Sequence, residues 1–330
     1  LLTMSGYGVH SRQVFRWLET KDVKIHSQCL PWGITPWYIN PDKLDGLVGR
    51  IMQTAQPPNS KPDISFQVQL PNEWDPSIAN YNVGITAAVE ADKCNPEWIN
   101  CCNRMDKIIV PSTFTKECLE NSGKLSVPIE VIPEAFFECL ADENNEKHLD
   151  LSLSTGFNLL IFGQVTGNNP YSDRKNTFFM IKWLCEEFAD NPDVGIIIKT
   201  NQGRNSTSDR IMTSRMIDKL LSEVRKGEYP KVYMLHGALE PEEIQSIYQN
   251  KKVKALVSAT RGEGYGLPLL EAATAGLPVM ATNFSGHLDF LNNGNFIKFD
   301  YDLSPVHQSR IDGQIFVPGT KWAEVKEEDF

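Results

Sequence analysis

Hydrophobic and polar positions along the chain alternate between a strand-like and a helix-like spacing. In residues 63–70, DISFQVQL, every second side chain is apolar, which predicts a strand with one buried face. Short apolar runs predict six more strands, at residues 107–110, 129–133, 158–163, 194–199, 231–235 and 253–258. Apolar residues at helical spacing predict helices at residues 9–20, 42–53, 177–188 and 209–225. End signals predict two more helices, one capped by Ser112 and ended by Gly123, and one with Pro241 in its first turn.

The alternation is interrupted once, by the charged and polar stretch ADENNEKHLDLS at residues 141–152. We therefore expect two domains, at residues 1–140 and 153–330, joined by a linker at residues 141–152. Strands that alternate with helices are typical of parallel sheets. The predicted fold class is α/β, with two Rossmann-like doubly wound domains facing across a cleft. Such sheets bind ligands beyond the carboxyl ends of their strands, which is where a site is expected.

Composition and charge exclude several classes of protein. The chain has 330 residues, 41% of them hydrophobic and 22% charged, as expected of a globular protein. Its formal net charge of −10 argues against nucleic acid as a general partner. The sequence shows neither a run of about 18 apolar residues nor the basic and apolar regions of a signal peptide. Seven cysteines without a CxxC pair favour free thiols in a reducing compartment, and we expect a cytoplasmic protein.

Residues 261–279, RGEGYGLPLLEAATAGLPV, have the order of a glycine-rich loop followed by a short helix. Glycines allow backbone turns that other residues avoid, and they let a ligand approach closely. Pro268 suits the first helical position, and Gly276 with Pro278 ends the helix after about two turns. The unpaired N–H groups and the positive dipole end of this helix predict a site for phosphate.

Two carboxylates flank this helix start. Glu263 lies in the loop, and Glu271 lies one turn inside the helix. A carboxylate accepts hydrogen bonds from two neighbouring hydroxyls, so each acid can bind a vicinal diol. A nucleotide sugar fits all of these groups, with its diphosphate at the helix, its ribose at one acid and its hexose at the other.

Two further segments add positive charge and backbone donors. Arg174 and Lys175 follow the first strand of the second domain and precede a helix for which Asn176 is the predicted N-cap. Their cations can neutralise a leaving diphosphate. Near the start of the chain, Gly6 and Gly8 predict a turn before the first helix, whose amides would face the cleft from the other domain.

Together these segments resemble the retaining glycosyltransferases of family four, the group 1 glycosyltransferases with the GT-B fold. The resemblance rests on the string EGYGLPLLEA, in which Glu263 and Glu271 form an E-x7-E motif, and on its continuation AGLPVMAT. Residues 96–123, PEWINCCNRMDKIIVPSTFTKECLENSG, also look like the first-domain segment of this family. The resemblance covers nearly the whole chain.

The resemblance implies a role for each of these residues. Glu263 would contact the donor sugar, and Glu271 would contact the ribose. Arg174 and Lys175 would stabilise the departing nucleoside diphosphate, without a metal ion or other cofactor. Backbone groups around the helix start and near the start of the chain would bind the donor, at Gly264, Tyr265, Gly266, Leu267, Gly6 and Gly8.

The chain departs from the family pattern at two places. Gln164 stands where the family usually has an arginine after a strand, which leaves less positive charge for the diphosphate. No residue matches the histidine that the family often places near the reacting carbon. Glu90 and Asp92 occupy roughly that region and are weaker candidates on the acceptor side. His10 is a further acceptor-side candidate, although a histidine near a helix start is more often a surface residue.

The sequence thus predicts an enzyme, a glycosyltransferase that moves a hexose from a nucleoside diphosphate sugar to a hydroxyl acceptor with retention. Glu263, Arg174 and Lys175 are its predicted catalytic residues. By resemblance the acceptor is a glycan or a glycolipid, and a glycolipid would bring peripheral contact with a membrane. Two alternatives stay open: a nucleotide-sugar epimerase or phosphorylase on the same fold, and a non-catalytic nucleotide-sugar-binding protein.

Overall fold

A computed structural model describes residues 1–31, 33–142, 149–164 and 169–330. The chain divides into two compact units. The first comprises Leu1–Val89 and Lys93–Ala135, and the second comprises Glu90–Asp92 and Phe136–Phe330. The predicted linker at residues 141–152 includes residues 143–148, which lie outside the described residues.

The described residues of the first unit form four strands and four helices. The strands are β1 (Ile64–Val68), β2 (Tyr81–Ile85), β3 (Lys107–Val110) and β4 (Ile129–Val131), and they form a parallel sheet in that order. The helices are α1 (Gly6–Glu19), α2 (Leu47–Thr54), α3 (Pro96–Cys102) and α4 (Thr113–Glu120). A short 3-10 helix spans Pro71–Glu73. Ser112 caps α4 as predicted, because its side-chain oxygen accepts a hydrogen bond from Thr115 N.

Two helix starts differ from their predictions. Gly6 and Gly8 lie within the first turn of α1 rather than in a turn before it, because Ser5 caps the helix at Gly8 N. A Cβ on Gly8 would lie 2.0 Å from the carbonyl oxygen of Thr3, so this glycine allows two backbone segments to approach closely. Helix α2 begins at Leu47 rather than at residue 42, since the three residues before it have positive φ angles.

The second unit contains a larger parallel sheet. Its strands are β5 (Phe157–Phe162), β6 (Val194–Thr200), β7 (Lys231–His236), β8 (Val253–Ser258), β9 (Val279–Thr282) and β10 (Ile297–Phe299). Their spatial order is β10-β9-β8-β5-β6-β7. The helices are α5 (Thr177–Glu187), α6 (Thr207–Val224), α7 (Pro241–Tyr248), α8 (Leu267–Thr274) and α9 (Leu288–Leu291). Short 3-10 helices span Glu138–Ala141, Pro170–Ser172, Gln308–Arg310 and Glu327–Asp329.

A hairpin follows the larger sheet, and the hydrophobic pattern did not predict it. It consists of two antiparallel strands, β11 (Tyr301–Pro305) and β12 (Lys321–Val325). Fifteen residues separate them, and most side chains of β11 are at least partly exposed, so neither the short-turn signal nor an alternating burial pattern is present.

Both faces of the six-stranded sheet are covered, because neighbouring residues of β5 belong to different hydrophobic clusters. Leu159 and Ile161 pack with residues of α5 and α6, whereas Leu160 packs with residues of α7 and α8. All seven residues of β6 are buried, which accounts for its nearly continuous apolar run. A parallel sheet with helices on both faces is a doubly wound unit, so the predicted α/β class with Rossmann-like units is confirmed.

Candidate active site

A small crevice opens at the carboxyl ends of β5 and β8 in the second unit. Strand β5 lies between β6 and β8 in the sheet. The chain continues from β5 to β6 and β7 on one side, and later returns to form β8 on the other side of β5. Parallel sheets bind ligands at such reversals of strand order, where the connections leave in opposite directions. The crevice is lined by Phe162, Lys175, Leu256, Ser258, Glu263, Gly266, Pro268 and Leu269. Three of the predicted site residues therefore line one crevice.

The glycine-rich loop leads into α8 in the predicted manner. Gly266 is the N-cap of α8 and has a left-handed backbone with φ +96°, which favours glycine. Pro268 is the second residue of α8, where the helix needs no N–H donor. A Cβ on Gly262 would lie 2.3 Å from the carbonyl oxygen of Glu90, so glycine is required there as well. The start of α8 consequently borders the crevice with its backbone close to the open space.

Other predicted donor-binding residues lie in the same loop and at the start of the helix. Gly264 is buried, and Leu267, the first residue of α8, is partly buried. Tyr265 is buried, and its ring packs edge-on against Phe290 with 5.2 Å between the ring centroids. Its side chain therefore contributes to packing, and the predicted contact of these three residues with a donor stays a prediction.

Glu263 lies at the centre of a buried cluster of charges and hydrogen bonds. Lys175 Nζ is 2.6 Å from Glu263 Oε1, and Arg174 Nη1 is 3.3 Å from Oε2. The Thr260 hydroxyl donates to Oε1 at 2.9 Å, and the Ser285 hydroxyl accepts a hydrogen bond from Glu263 N at 2.8 Å. The structure thus brings together the three residues that were predicted to be catalytic.

The Glu263 carboxylate keeps its charge despite its burial. Burial alone would raise the pKa of Glu263, but Lys175 and Arg174 outweigh this effect and lower the pKa from 4.5 to about 2. The carboxylate is consequently ionised at neutral pH. An ionised group fixed by two cations and a hydroxyl is suited to binding hydroxyls in a preorganised geometry.

Arg174 is held by three protein groups. Its Nη1 donates to Gly262 O at 2.6 Å, and its Nη2 lies 3.2 Å from Glu90 Oε1. Burial alone would lower the pKa of Arg174, but the carboxylates of Glu90, Glu263 and Asp173 raise it. The side chain is only 12% exposed, so the guanidinium orients Glu263 and the glycine-rich loop. Its predicted contact with a leaving diphosphate stays a prediction.

The turn before α5 depends on an aspartate that the sequence pattern did not single out. Asp173 Oδ2 accepts a hydrogen bond from Thr177 N at 2.8 Å, and Oδ1 accepts one from Lys175 N at 3.2 Å. Asn176 occupies the N-cap position with φ +57° and without a side-chain cap hydrogen bond, so its prediction as the capping side chain is wrong. Asp173 thereby fixes the backbone that carries Arg174 and Lys175.

Glu271 lies one turn inside α8 and is 9% exposed. Burial raises the pKa of Glu271 from 4.5 to about 7, although a hydrogen bond from Tyr248 and the charge of Lys199 act in the opposite direction. Tyr248 donates its hydroxyl to Glu271 Oε2 at 3.3 Å. The two acids of the E-x7-E motif therefore have opposite pKa shifts.

Lys199 is a buried cation near this second acid, and the hydrophobic pattern did not identify it as functional. It lies on β6 opposite Phe162 of β5 in the sheet register. Its ammonium is 5.9 Å from the centroid of the Phe162 ring, which lines the crevice. The sequence signal that could have drawn attention to Lys199 is the position of a charged residue at the end of the apolar run VGIIIK.

Arg261, directly before the glycine-rich loop, is 1% exposed and connects three segments. Its Nε is 2.7 Å from Glu324 Oε1 on β12, and its Nη1 donates to the carbonyl oxygens of Pro170 and Asp173. Its guanidinium also packs against two aromatic rings, and its backbone N donates to Arg174 O at 2.9 Å. Arg261 therefore connects its own loop to two segments: the turn that carries Arg174 and Lys175, and the hairpin that carries Glu324.

The acidic acceptor-side candidates both belong to the second unit. Glu90 pairs with Arg174, as described above. Asp92 is bound to the backbone of Lys321, since its Oδ1 accepts from Lys321 N at 2.6 Å and its own N donates to Lys321 O at 2.9 Å. Both carboxylates thus have protein partners, and their contact with an acceptor stays a prediction.

His10 lies on α1 of the first unit and is 8% exposed, so the expectation of a surface residue is wrong. Its Nδ1 is 3.7 Å from Glu134 Oε1. Burial lowers the pKa of His10 to about 4, so its ring is neutral at pH 7. The acceptor-side role of His10 and the donor contacts of Gly6 and Gly8 stay predictions.

The described ranges contain neither a metal-binding cluster nor a membrane-spanning helix. No group of three or more histidine, cysteine, aspartate or glutamate side chains in these ranges is arranged to hold a metal ion. Within the same residues, no helix combines the length and the apolar character needed to cross a bilayer. All seven cysteines are free thiols. The metal requirement and the cellular location stay predictions.

Part of the second unit is similar in sequence to a known family. Residues 216–302, which run from α6 into β11, match the family model of the glycosyl transferases group 1. This segment includes both Glu263 and Glu271. No curated protein matches the chain.

Solved structures with related folds are glycosyltransferases. Anabaena HepE in complex with UDP and glucose has a TM-score of 0.55 and 17% identity, over 81% of this chain and 71% of that one. A trehalose-6-phosphate synthase, studied with bisubstrate glycomimetics for glycosyl transfer with retention, has a TM-score of 0.52 and 10% identity, over 76% and 65%. The pneumococcal O-GlcNAc transferase GtfA, in complex with UDP and GlcNAc, has a TM-score of 0.44 and 15% identity, over 66% of this chain. The present chain spans 41% of the length of GtfA.

The solved structures show the fold of the chain, and the family model shows a sequence similarity limited to one segment. The two α/β units have the fold of the GT-B glycosyltransferases, and residues 216–302, which contain Glu263 and Glu271, are similar to the glycosyl transferases group 1.

Proposed function

We propose that the protein is a glycosyltransferase that moves a hexosyl group from a nucleoside diphosphate sugar to a hydroxyl acceptor with retention. One observation carries this proposal: the start of α8 and the Lys175–Glu263 pair border the same crevice at the strand reversal. The group 1 segment at residues 216–302 supports the same class of reaction. The UDP and glucose bound to HepE support a nucleoside diphosphate hexose as the donor.

The start of α8 and Lys175 form the proposed diphosphate site. The first amides of a helix have no partners within it, and they carry the positive end of the helix dipole. Lys175 adds a full positive charge at the crevice wall. When the bond between the anomeric carbon and the diphosphate breaks, negative charge grows on the diphosphate oxygen. Fixed positive groups at that position lower the barrier because they need no reorganisation.

Glu263 forms the proposed hexose site beside the diphosphate. Its carboxylate accepts hydrogen bonds from sugar hydroxyls while Lys175 and Arg174 keep it ionised. For retention, the acceptor hydroxyl approaches on the face that the diphosphate leaves. A new bond forms between the acceptor oxygen and the anomeric carbon, and the acceptor proton passes to the departing diphosphate oxygen.

The remaining features of the reaction are part of the same proposal. No metal ion or other cofactor takes part, since Lys175 and α8 supply the positive charge, and we expect EDTA to leave the transfer rate unchanged. The acceptor is a glycan or a glycolipid, and the protein acts in the cytoplasm with peripheral membrane contact when the acceptor is a lipid. These features rest on the family resemblance of the E-x7-E segment.

A non-catalytic nucleotide-sugar-binding protein is the second candidate. Gln164, which is exposed just after β5, supports it, because the resembling family usually has an arginine there. A missing cation would weaken stabilisation of the leaving diphosphate more than binding of the intact donor.

A panel of UDP-, GDP- and ADP-sugars tests both candidates. We expect one class of donor to raise the melting temperature, and mass spectrometry to show transfer to a glycan or glycolipid. Glu263→Gln removes the charge that binds the hexose, so transfer should fall by about 100-fold or more, while the free nucleoside diphosphate still binds. Glu187→Gln, an exposed glutamate on α5, is the matched control.

Full transfer activity in Glu263→Gln would contradict the role of this acid. Stabilisation by a nucleotide sugar without transfer or hydrolysis would favour the binding protein. A new sugar isomer formed from the donor alone would indicate an epimerase instead.

A further inference from the structure

Two buried cysteines of the first unit contact each other through their thiol groups. Cys94 lies just before α3, and Cys118 lies on α4. Both are free thiols that are 1% exposed, and a side-chain hydrogen bond joins them. Ser122 also links their backbones, because its hydroxyl accepts from Cys94 N at 2.7 Å and donates to Cys118 O at 2.6 Å. One bridging hydroxyl is compatible with the Cα separation of about 4.4–6.8 Å that a disulfide requires.

These two thiols also contact the residues on both sides of a short segment that belongs to the second unit. The chain leaves the first unit after Val89 and returns to it at Lys93, so that residues 90–92 belong to the second unit. Cys94 comes directly after Lys93, and the Cys118 thiol donates to Val89 O at 3.8 Å. Cys118 therefore contacts the chain before and after the segment.

The segment at residues 90–92 carries a member of the charged cluster in the candidate active site. Glu90 Oε1 lies 3.2 Å from Arg174 Nη2, and Arg174 Nη1 lies 3.3 Å from Glu263 Oε2. The Glu90 carbonyl oxygen also packs so closely on Gly262 that no Cβ fits there. A shift of the backbone at either end of this segment would consequently move a partner of Arg174 and of the glycine-rich loop.

Cys94 is the more reactive thiol when it is compared with the nearby Cys102. The hydrogen bond with Cys118 lowers the pKa of Cys94 and, together with one from Ser122, outweighs burial. Burial, with the charges of Cys94 and Cys101, raises the pKa of Cys102 to about 12. The thiolate is the nucleophilic form of cysteine. Cys94 is therefore suited to react first, and Cys118 is in contact with it.

We propose that Cys94 and Cys118 are a redox pair that a hydroperoxide converts to a disulfide, and that this bond lowers transfer activity by displacing Glu90. Disulfides in a reducing compartment are usually transient and redox-sensing, so such a pair agrees with the cytoplasmic location proposed above. The effect on transfer rests on the proposed function, whereas formation of the disulfide does not.

The reaction takes two steps. The Cys94 thiolate attacks one oxygen of hydrogen peroxide, the O–O bond breaks, and Cys94 becomes a sulfenic acid. The released hydroxide takes up the proton that Cys94 had lost and becomes water. The Cys118 sulfur then attacks the Cys94 sulfur, the S–O bond breaks, and the leaving hydroxide takes the Cys118 proton to form a second water. The two sulfurs lose two electrons in total, and the peroxide gains them.

Peptide mapping of the wild-type protein tests whether the disulfide forms. The folded protein is treated with a small excess of hydrogen peroxide, which is small and uncharged enough to reach buried thiols. The remaining thiols are then alkylated, and the chain is cleaved after glutamate. This cleavage releases Cys94 within residues 91–97, Cys118 within residues 118–120, and both cysteines of α3 within residues 98–117. We expect a species that joins residues 91–97 to residues 118–120 and that dithiothreitol separates.

A transfer assay before and after oxidation tests the effect on the candidate active site. A disulfide brings two sulfur atoms to about 2.05 Å, closer than a hydrogen bond does, so the backbone at one of them must shift. We expect transfer by oxidised wild type to fall by about 5-fold or more and to recover with dithiothreitol, because a displacement of about 1 Å can be costly in an active site.

Two serine variants complete the comparison. Cys118→Ser should keep the activity of reduced wild type with or without peroxide, since serine also donates to Val89 O but cannot form the disulfide. Cys185 of α5 in the second unit is likewise 1% exposed, and Cys185→Ser is the matched control. We expect Cys185→Ser to lose activity on oxidation as wild type does.

Three results would overturn the inference. Alkylation of both thiols after peroxide treatment would show that no bond forms between them. A species that joins residues 98–117 to either of the other two peptides would assign the partner to a cysteine of α3. Undiminished transfer by protein that contains the mapped disulfide would show that the bond does not affect the site.

Two further outcomes keep the test decisive. If Cys118→Ser does not fold, Cys94→Ser replaces it in the same comparison. If reduced wild type transfers no sugar, the proposed function fails, while the peptide map still decides whether the disulfide forms.

Discussion

Glu263 and Glu271 belong to one loop–helix segment, and their immediate partners give them different chemistry. Glu263 touches two cations and a hydroxyl, so its pKa falls to about 2. Glu271 accepts a hydrogen bond from the Tyr248 hydroxyl, and neither this bond nor the charge of Lys199 outweighs burial, so its pKa rises to about 7. Pairs of acids with pKa values shifted apart commonly mark distinct roles in one site. Here the first acid is charged at any physiological pH, and the second titrates within that range.

The raised pKa of Glu271 predicts how nucleotide binding depends on pH. Binding of a ribose diol favours the ionised carboxylate, whose population rises about eightfold between pH 6 and pH 7.5 for a pKa near 7. We expect the affinity for the best nucleotide sugar to rise by up to this factor over that interval. Calorimetry would measure it with an intact nucleotide sugar, whose diphosphate does not titrate there. The Glu271→Gln variant should bind more weakly and show a flat profile, and an equally steep profile in that variant would contradict the assignment.

The raised pKa of Glu271 makes folding stability depend on pH in the opposite direction from nucleotide binding. Because the folded-state pKa of Glu271 exceeds the unfolded value of 4.5, this group favours the folded state most at low pH. Its contribution falls as pH rises from 4.5 to about 7, by about 3 kcal/mol for a shift of this size. The acid expected to bind the ribose at neutral pH is therefore one that opposes folding there, as is common for functional groups.

At the level of elements, α8 and the turn before α5 define the site, and Arg261 joins the two. The helix supplies its amino terminus, and the turn supplies Lys175. Arg261 bonds the carbonyl oxygens of the turn while its own backbone begins the glycine-rich loop. Its partner Glu324 lies on the hairpin strand β12. The hairpin therefore stabilises the site although it contributes no residue to the crevice lining.

Replacing Arg261 by lysine tests this connection. Lysine keeps the charge but cannot donate to Glu324 and to two carbonyl oxygens in one plane. We expect Arg261→Lys to lower the free energy of unfolding by about 2 kcal/mol or more, because groups of a buried network lose their partners. Urea denaturation would measure the change.

The matched control is Arg50→Lys in the first unit. Arg50 forms a similar pair with Glu19 at 2.6 Å, but its side chain is 45% exposed, against 1% for Arg261. Exposed pairs contribute little, so a change below about 0.5 kcal/mol is expected there. Similar losses in the two variants would show that the buried network has no special importance.

For the whole molecule, net charge restricts the partners. The chain carries 42 acidic and 32 basic residues, and several of the basic ones are already paired within the second unit. Beside the crevice, Arg174 and Lys175 are balanced by Glu90 and Glu263, and the start of α8 adds the positive end of its dipole. A small anionic ligand fits such a site better than an extended polyanion does.

We therefore expect no measurable binding of a 30-base-pair DNA duplex at 150 mM salt, because phosphate contacts require clustered surface cations. Fluorescence polarisation of a labelled duplex would measure this, with the best nucleotide sugar as a positive control for the active protein. Micromolar DNA binding that weakens steeply with salt would contradict the expectation.

Much of the secondary structure of both units could be predicted from local pattern. The strands at residues 107–110 and 253–258 have the predicted bounds, and α5 ends within one residue of its prediction. Apolar periodicity indicates which face of an element will be buried, and this pattern is visible in residues only a few positions apart. The strands β2, β9 and β10 and the hairpin were not predicted, because they are short or lack a strong period.

The sequence by itself determined the α/β class, the glycine-rich loop with its helix, and the two acids of the E-x7-E motif. These features depend on the conformational freedom of glycine and on spacings of fewer than ten residues. Only the tertiary structure decided that Glu263 is charged and Glu271 titrates near neutrality, that Arg174 binds Glu90, and that Lys199 lies beside the second acid. Those properties arise from contacts between residues that are tens of positions apart, and burial and charge at such contacts exist only once the chain has folded.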